Sequence, residues 1–148
     1  MSASNDFENL LLLHLLQNAN IANIGDVTGL RGSTAAGSLY ISLHTADPGE
    51  AGTQSTSEAT YTGYARVALV RLAGGWTVST STFSNAAAVT FGACTAGSST
   101  VTYFGIGTLV SGVGTLLLSG ALTSPTSLAV TAGITPSFSI GALTGSVD

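Results

Sequence analysis

The side chains able to do chemistry are few and scattered. Histidine occurs twice, as His14 inside an apolar run and as His44 at the end of a strand-like segment. A protein metal site needs three or four converging ligands. Two histidines from distant segments, with few carboxylates near either, do not supply them, so neither a metal nor a cofactor is expected. His14 is read as a packed or interface side chain. Asp47 and Glu50 flank Pro48-Gly49. Paired carboxylates carry acid–base work in glycoside hydrolysis, which keeps a small hydrolase as an outlying reading. A turn accounts for the same residues more simply. Asp47 accepts backbone N–H groups, Pro48 presets φ and Gly49 tolerates positive φ. The many serines and threonines include no Gly-x-Ser-x-Gly elbow. Without lysine there is no phosphate loop. No catalytic residue is expected.

Arginine is the scarcest useful group: Arg31, Arg66 and Arg71 are the only cationic side chains apart from histidine. A guanidinium forms bidentate bonds with carboxylates and suits buried or interfacial pairing. Arg66 is therefore expected to pair with Asp47, with Glu58 or with a carboxylate of a neighbouring subunit. Arg71 reads equally as a solvated strand end. The lone Cys94, in Phe91-Gly92-Ala93-Cys94, rules out an internal disulfide and a multi-cysteine zinc site. Its surroundings suggest a small buried hydrophobe.

The elements that position these residues follow from periodicity. Asn5 and Glu8 have capping-box spacing. Phe7, Leu10, Leu11, His14 and Leu15 then mark one apolar helical face, widened by Leu12, Leu13 and Leu16. The helix should end near Asn18–Asn20. So apolar a helix must be covered on most sides, either by its own sheet or in a subunit interface. Residues Ile21–Gly37 form a Gly/Ser/Thr/Ala connector. From Ser38 the period falls to two, with Leu39, Ile41 and Leu43 alternating with Tyr40, Ser42 and His44. Tyr64–Leu72 is a second strand, broken by Gly74-Gly75, and Trp76–Ser79 is expected to pair back on it. Ala88–Phe91, Thr100–Ile106, Thr115–Leu118, Ser127–Thr131 and Pro136–Ile140 read as further short strands. Strands at short spacing without helices between them predict a sandwich or barrel.

Composition bounds the function. The chain has 148 residues, 45% of them hydrophobic and only 7% charged, with a net charge of −4. That is enough apolar material for a core and far fewer ions than the quarter or so usual in soluble domains. A surface so poor in ions resists association weakly, which makes sense if partner chains bury much of it. Three arginines give no basic footprint for phosphates, so nucleic acid is not an expected partner. The acidic start Met1–Asp6 does not resemble a secretory signal. The run Leu10–Leu16 is too short to span a bilayer, so membrane insertion is not expected.

An ordered set of segments resembles a family of small bacteriophage virion proteins. They are Leu39-Tyr40-Ile41-Ser42-Leu43-His44-Thr45-Ala46-Asp47-Pro48, then Gly63-Tyr64-Ala65-Arg66, then Ser84–Phe91. Thr100–Ile106, Gly114–Leu122 and Gly133–Phe138 follow in the family's order. The connector Ile21–Gly37 departs from the pattern by its length. Members of this kind are often labelled tail fibre, and their architecture is similar to that of capsid decoration, or cement, proteins. The resemblance implies a virion structural protein, made in the host cytoplasm.

Together these readings predict an all-β, antiparallel, jelly-roll-like sandwich over 38–148, preceded by a helix and connector over 1–37. The expected function is capsid decoration through subunit contacts. Homotrimers and the phage's major capsid or tail proteins are the expected partners. Phe7, Leu10, Leu11, His14, Leu15 and Arg66 are the candidate interface residues. The alternative is a tail or head-fibre component that binds the host surface, with Tyr61, Tyr64 and Trp76 as exposed recognition aromatics.

Overall fold

The computed structural model describes residues 2–25 and 29–147, so positions 26–28 of the connector lie outside the described residues. Among the described residues one helix, α1 (Asn5–Gln17), precedes eleven strands. These are β1 (Ser38–His44), β2 (Val67–Val70), β3 (Trp76–Ser79), β4 (Thr82–Asn85), β5 (Val89–Thr90) and β6 (Ser99–Val101), then β7 (Tyr103–Gly107), β8 (Leu116–Ala121), β9 (Leu128–Val130), β10 (Ser137–Phe138) and β11 (Thr144–Ser146). The chain is thus all-β with a single N-terminal helix, as the sequence predicts. The sheets are β2-β1-β7-β8, β11-β4-β3, β10-β5 and β6-β9.

The chain divides into two compact units. The first combines Met1–Ser38 with Leu69–Ala87 and Ile140–Asp148; the second holds Leu39–Ala68 and Ala88–Ser139. The helical segment shares its unit with two later pieces of chain.

In the first unit α1 packs against β3 and β4. Its N-cap is Ser4, not the expected Asn5: Ser4 is extended (φ −85°, ψ 149°) and its Oγ accepts from Phe7 N–H. Asn5 is already helical, so Glu8 sits one position too late for a capping box. Asn18 ends the helix in the left-handed region at φ 56°, a conformation asparagine tolerates. The buried positions of α1 are Glu8, Leu12 and Leu16. Of the two coverings the sequence allows, its own sheet takes the Leu12 and Leu16 side, and Phe7, Leu10 and Leu11 are exposed. The reason is that so many leucines define two competing faces, and the packing of β3 and β4 chooses between them. Arg71 is not a solvated strand end. Its Nε and Nη2 donate to the carbonyls of Leu15 (2.7 Å) and His14 (2.8 Å), which have no intrahelical donor at a helix C-terminus.

Trp76–Ser79 is a strand, but it pairs with β4 across Thr80-Ser81 rather than back on β2. Both turn residues have positive φ, 48° and 63°, which matches the twist of a two-residue hairpin. Neither is glycine or asparagine, so the usual hairpin signal is absent. β11 was equally hidden, because Thr144-Gly145-Ser146 lacks β-branched alternation. It is held against β4 by Asn85, whose Oδ1 accepts from Leu143 N–H at 2.9 Å. Trp76, Phe83, Leu12, Leu16, Ile21 and Leu143 fill this core.

In the second unit β1 pairs antiparallel with β7, and β7 with β8. The segment expected as one strand over Thr100–Ile106 is two. β6 pairs with β9, and after Thr102 the chain joins β1 as β7. The strand expected over Tyr64–Leu72 is shorter, Val67–Val70, because Tyr64 and Arg66 are taken up by side-chain bonds described below. The core contains Ile41, Leu43, Val89, Phe91, Val101, Phe104, Ile106, Val130 and Phe138. Cys94 is buried as expected, its Sγ donating to the Ala96 carbonyl.

The facing of α1 is measurable by urea unfolding of single variants. Leu12→Ala should cost about 3 kcal/mol, as for a well-packed core leucine. Phe7→Ala and Leu10→Ala should each cost less than about 1 kcal/mol, as surface changes do.

Candidate functional site

The densest polar constellation lies in the second unit, around the Gly63-Tyr64-Ala65-Arg66 segment. Arg66 Nε and Nη2 donate to Glu58 Oε1 and Oε2 at 2.7 and 2.8 Å, a bidentate pair. The Arg66 side chain is 2% exposed and that of Glu58 16%. Nη1 donates to the Leu109 carbonyl at 3.0 Å, and Nη2 also to that of Gly112 at 2.7 Å. Tyr64 OH donates to Glu58 Oε1 (2.8 Å) and accepts from Leu43 N–H (3.0 Å). Glu58 is thus the Arg66 partner among the three expected. Arg66 makes its bonds within the chain, tying Glu58 to the 109–112 loop. The hydrogen bonds to Glu58 raise the Arg66 pKa above its ordinary value. Burial pushes the Tyr64 phenol well up, and the bond to Glu58 adds to it.

A second buried group adjoins it. His44, the last residue of β1, lies in the interior rather than at an open strand end. Its Nδ1 contacts the Thr56 carbonyl at 2.7 Å and its Nε2 contacts Ser42 Oγ at 2.8 Å. A serine beside an imidazole has the outline of a nucleophile and its base. Ser42 and His44 are both 0% exposed, so the hydroxyl does not face solvent. Desolvation lowers the His44 pKa, keeping the ring neutral.

Room for this pair comes from Gly105 on β7. A Cβ there would stand 2.6 Å from both His44 Nε2 and Ser42 Oγ. Gly107 makes the same allowance for Gln54, which is fully buried and whose Oε1 accepts from Leu109 N–H at 2.9 Å. Neither glycine nor Gln54 was singled out from the sequence. The available signal was two glycines inside a strand, which mark a close approach by another group.

The Asp47-Pro48-Gly49 turn forms as expected, with Asp47 Oδ1 accepting from Gly49 N–H at 2.9 Å and Gly49 at φ 68°. With Glu50, Tyr103 and β8 it borders an open groove of about 570 Å³. The three aromatics expected at the surface are not there. Trp76 is 0% and Tyr61 3% exposed, and Tyr64 is half-buried. Trp76 packs edge-on against Phe83. Tyr61 and Tyr64 form a ring cluster with Phe91, and Tyr61 OH donates to the Gly92 carbonyl. Burial pushes the Tyr61 phenol up to about 12. These rings carry too much apolar area to be left in water when a core is so close in sequence. His14 Nδ1 contacts the Ala19 carbonyl at 2.7 Å, and Leu15 is half-buried. Among the described residues no group of three or more His, Cys, Asp or Glu side chains is placed to hold a metal. Nor is any described helix long and apolar enough to cross a membrane.

These features describe a β-rich module whose strongest polar interactions brace loops and strands. The sequence model of the family described as Podophage GP4 fiber I protein gp80 matches residues 2–146. The chain belongs to this family of phage virion structural (fibre) proteins, and the family implies a virion component. No curated protein matches the sequence.

Three variants test this site. Glu58→Gln leaves the Arg66 charge buried without a counter-charge and should cost about 3 kcal/mol in chemical denaturation. Tyr64→Phe, which orphans the Leu43 N–H, should cost about 1–2 kcal/mol. Because the folded-state pKa of His44 lies below the unfolded 6.5, the unfolded chain binds more protons as pH falls. The His44 contribution is therefore complete above pH 6.5 and declines below it. Unfolding free energies taken across pH 7.5 to 5 should fall for the wild type and flatten in His44→Gln, against the 6.5 reference.

Proposed function

We propose that the chain is a non-catalytic assembly subunit of a podophage fibre, joined to other copies of itself and to neighbouring head or tail proteins. The observation that carries this reading is the outer surface. Phe7, Leu10, Leu11, Leu30, Leu109, Val110 and Val113 are all more than a third exposed on a chain that is 7% charged. Exposed apolar groups on such a surface mark contact sites. The family match supports placing those contacts in a fibre. Under this reading the buried polar groups give each subunit a fixed shape, and affinity comes from apolar contacts between subunits.

A second reading, decoration of the capsid, draws on the same surface. Sheet-rich subunits holding the head by many small apolar contacts would need the same scarcity of ions. A host-binding role for the fibre has less support in side chains, because Tyr61 and Trp76 are buried.

Gold-labelled antibody against the purified chain, applied to intact particles, separates the two locations. Label confined to fibres is the expected result. Label spread evenly over the head would move the assignment to decoration, and particles free of label would remove the protein from the virion.

A further inference from the structure

Strand β8 ends one side of the β2-β1-β7-β8 sheet, with β7 as its one neighbour there. In an antiparallel ladder the N–H and C=O of a residue point to the same side, and the side alternates along the strand. Leu122 N–H donates to the Thr102 carbonyl at 2.8 Å, so Leu118 and Gly120 turn their backbone groups toward β7. Ser119 and Ala121 therefore turn theirs away from the sheet. Both are exposed, and neither makes a hydrogen bond through these groups among the described residues. Open edges are ordinarily blunted by charge, proline or shortness. β8 is six residues long and holds neither a charged residue nor a proline. A groove of about 570 Å³ lies against it, and every residue of Leu116–Ala121 borders that groove. Successive residues of a strand face opposite sides of its sheet, so a groove touched by all of them follows the edge. Asp47 and Glu50 also line it, both exposed and in no ion pair among the described residues.

We propose that this edge takes up an extended segment of a different protein, which adds to β8 as a further strand and sets Lys or Arg side chains against Asp47 and Glu50. Backbone complementarity gives the form of the partner. Free N–H and C=O groups two residues apart, about 7 Å along a strand, are matched by another polypeptide in β conformation. Charge gives its composition. Two carboxylates lining one groove favour a cation, and this chain has none to place there. It contains no lysine. Arg66 and Arg71 make their bonds within the chain. The segment around Arg31 already has its backbone engaged. Leu30 exchanges hydrogen bonds with Ile21, and the N–H groups of Gly32 and Ser33 donate to the side chains of Asn20 and Asn18. A second copy pairing β8 on β8 would bring two pairs of carboxylates and no cation to one junction. Like charges gathered in this way select against an arrangement. The inference rests on the assembly reading above and gives the chemistry of one of its partners.

The test is an NMR titration of the intact, isotope-labelled chain with two capped octapeptides, one alternating Lys with Val and the other Glu with Val. The lysine peptide should shift the amide signals of Ser119 and Ala121. At about ten times its Kd it should slow their hydrogen exchange roughly tenfold, because exchange then waits for a free edge. The glutamate peptide should leave them unchanged. Asp47→Asn/Glu50→Gln, on exposed side chains, should weaken the lysine peptide about fivefold, the loss of two exposed ion pairs. Ser119→Pro, which removes an N–H that faces away from the sheet, should abolish binding. Circular dichroism of each variant checks that the fold is kept. Equal effects from both peptides, or none from the lysine peptide, would overturn the proposal. Slower exchange at these amides as the chain alone is concentrated would overturn it too, by giving the edge to a second copy. None of these outcomes changes where antibody labels the particle, so a failure of this contact is distinct from a failure of the assembly reading.

Discussion

A guanidinium buried among apolar side chains must find an acceptor for its donors, and that requirement organises the second unit. Arg66 is almost fully withdrawn from water. Losing hydration costs an ion several kcal/mol unless geometry restores the interaction. Here Glu58 takes two donors, and the carbonyls of Leu109 and Gly112 take two more. Tyr64 then bridges Glu58 to the backbone of β1. One ion pair therefore joins the 58–66 segment, the first strand and the distant 109–112 loop. Tyr64 in turn packs with Tyr61 and Phe91 in a ring cluster.

Arg71 plays a comparable part in the first unit, with neutral acceptors. Its bonds to the last carbonyls of α1 fix where the helix ends and supply positive charge at the negative end of its dipole. In a chain with so few ions, two of three arginines serve as internal cross-links. The outer surface carries few ions, among them Asp6, Arg31, Asp47 and Glu50, and is otherwise apolar or small and polar. Scarcity of charge thus has two consequences with one cause. Arg66 and Arg71 are placed where they specify shape, and a surface with so few ions is suited to contact with other chains.

Backbone economy completes the interior. Two glycines in β7 allow the polar side chains of His44, Ser42 and Gln54 to lie within a sheet packed on aliphatic residues. A neutral histidine with both ring nitrogens occupied satisfies its polar atoms without introducing charge. The virion family to which the chain belongs is consistent with such a design, in which polar chemistry serves rigidity.

Much of this was legible in the residues themselves. The capped leucine run gave a helix, period-two alternation gave β1, and the Asp47-Pro48-Gly49 turn formed where its residue types require it. A lone cysteine in a small apolar stretch was buried. The family resemblance rested on ordered segments of this kind. Local chemistry determines such features, because a cap, a turn or an alternation is complete within a few residues. Tertiary structure decided the rest. Which side of an almost wholly apolar helix faces inward depends on β3 and β4, which are distant in sequence. The split of residues 99–107 between two sheets, the pairing of β3 with β4 and the choice of Glu58 for Arg66 depend equally on chain brought back from afar. The burial of Trp76 and Tyr61 has the same origin. An aromatic residue beside a glycine-rich turn has the same local signature whether its ring meets water or a core, and only the packed neighbours distinguish the two.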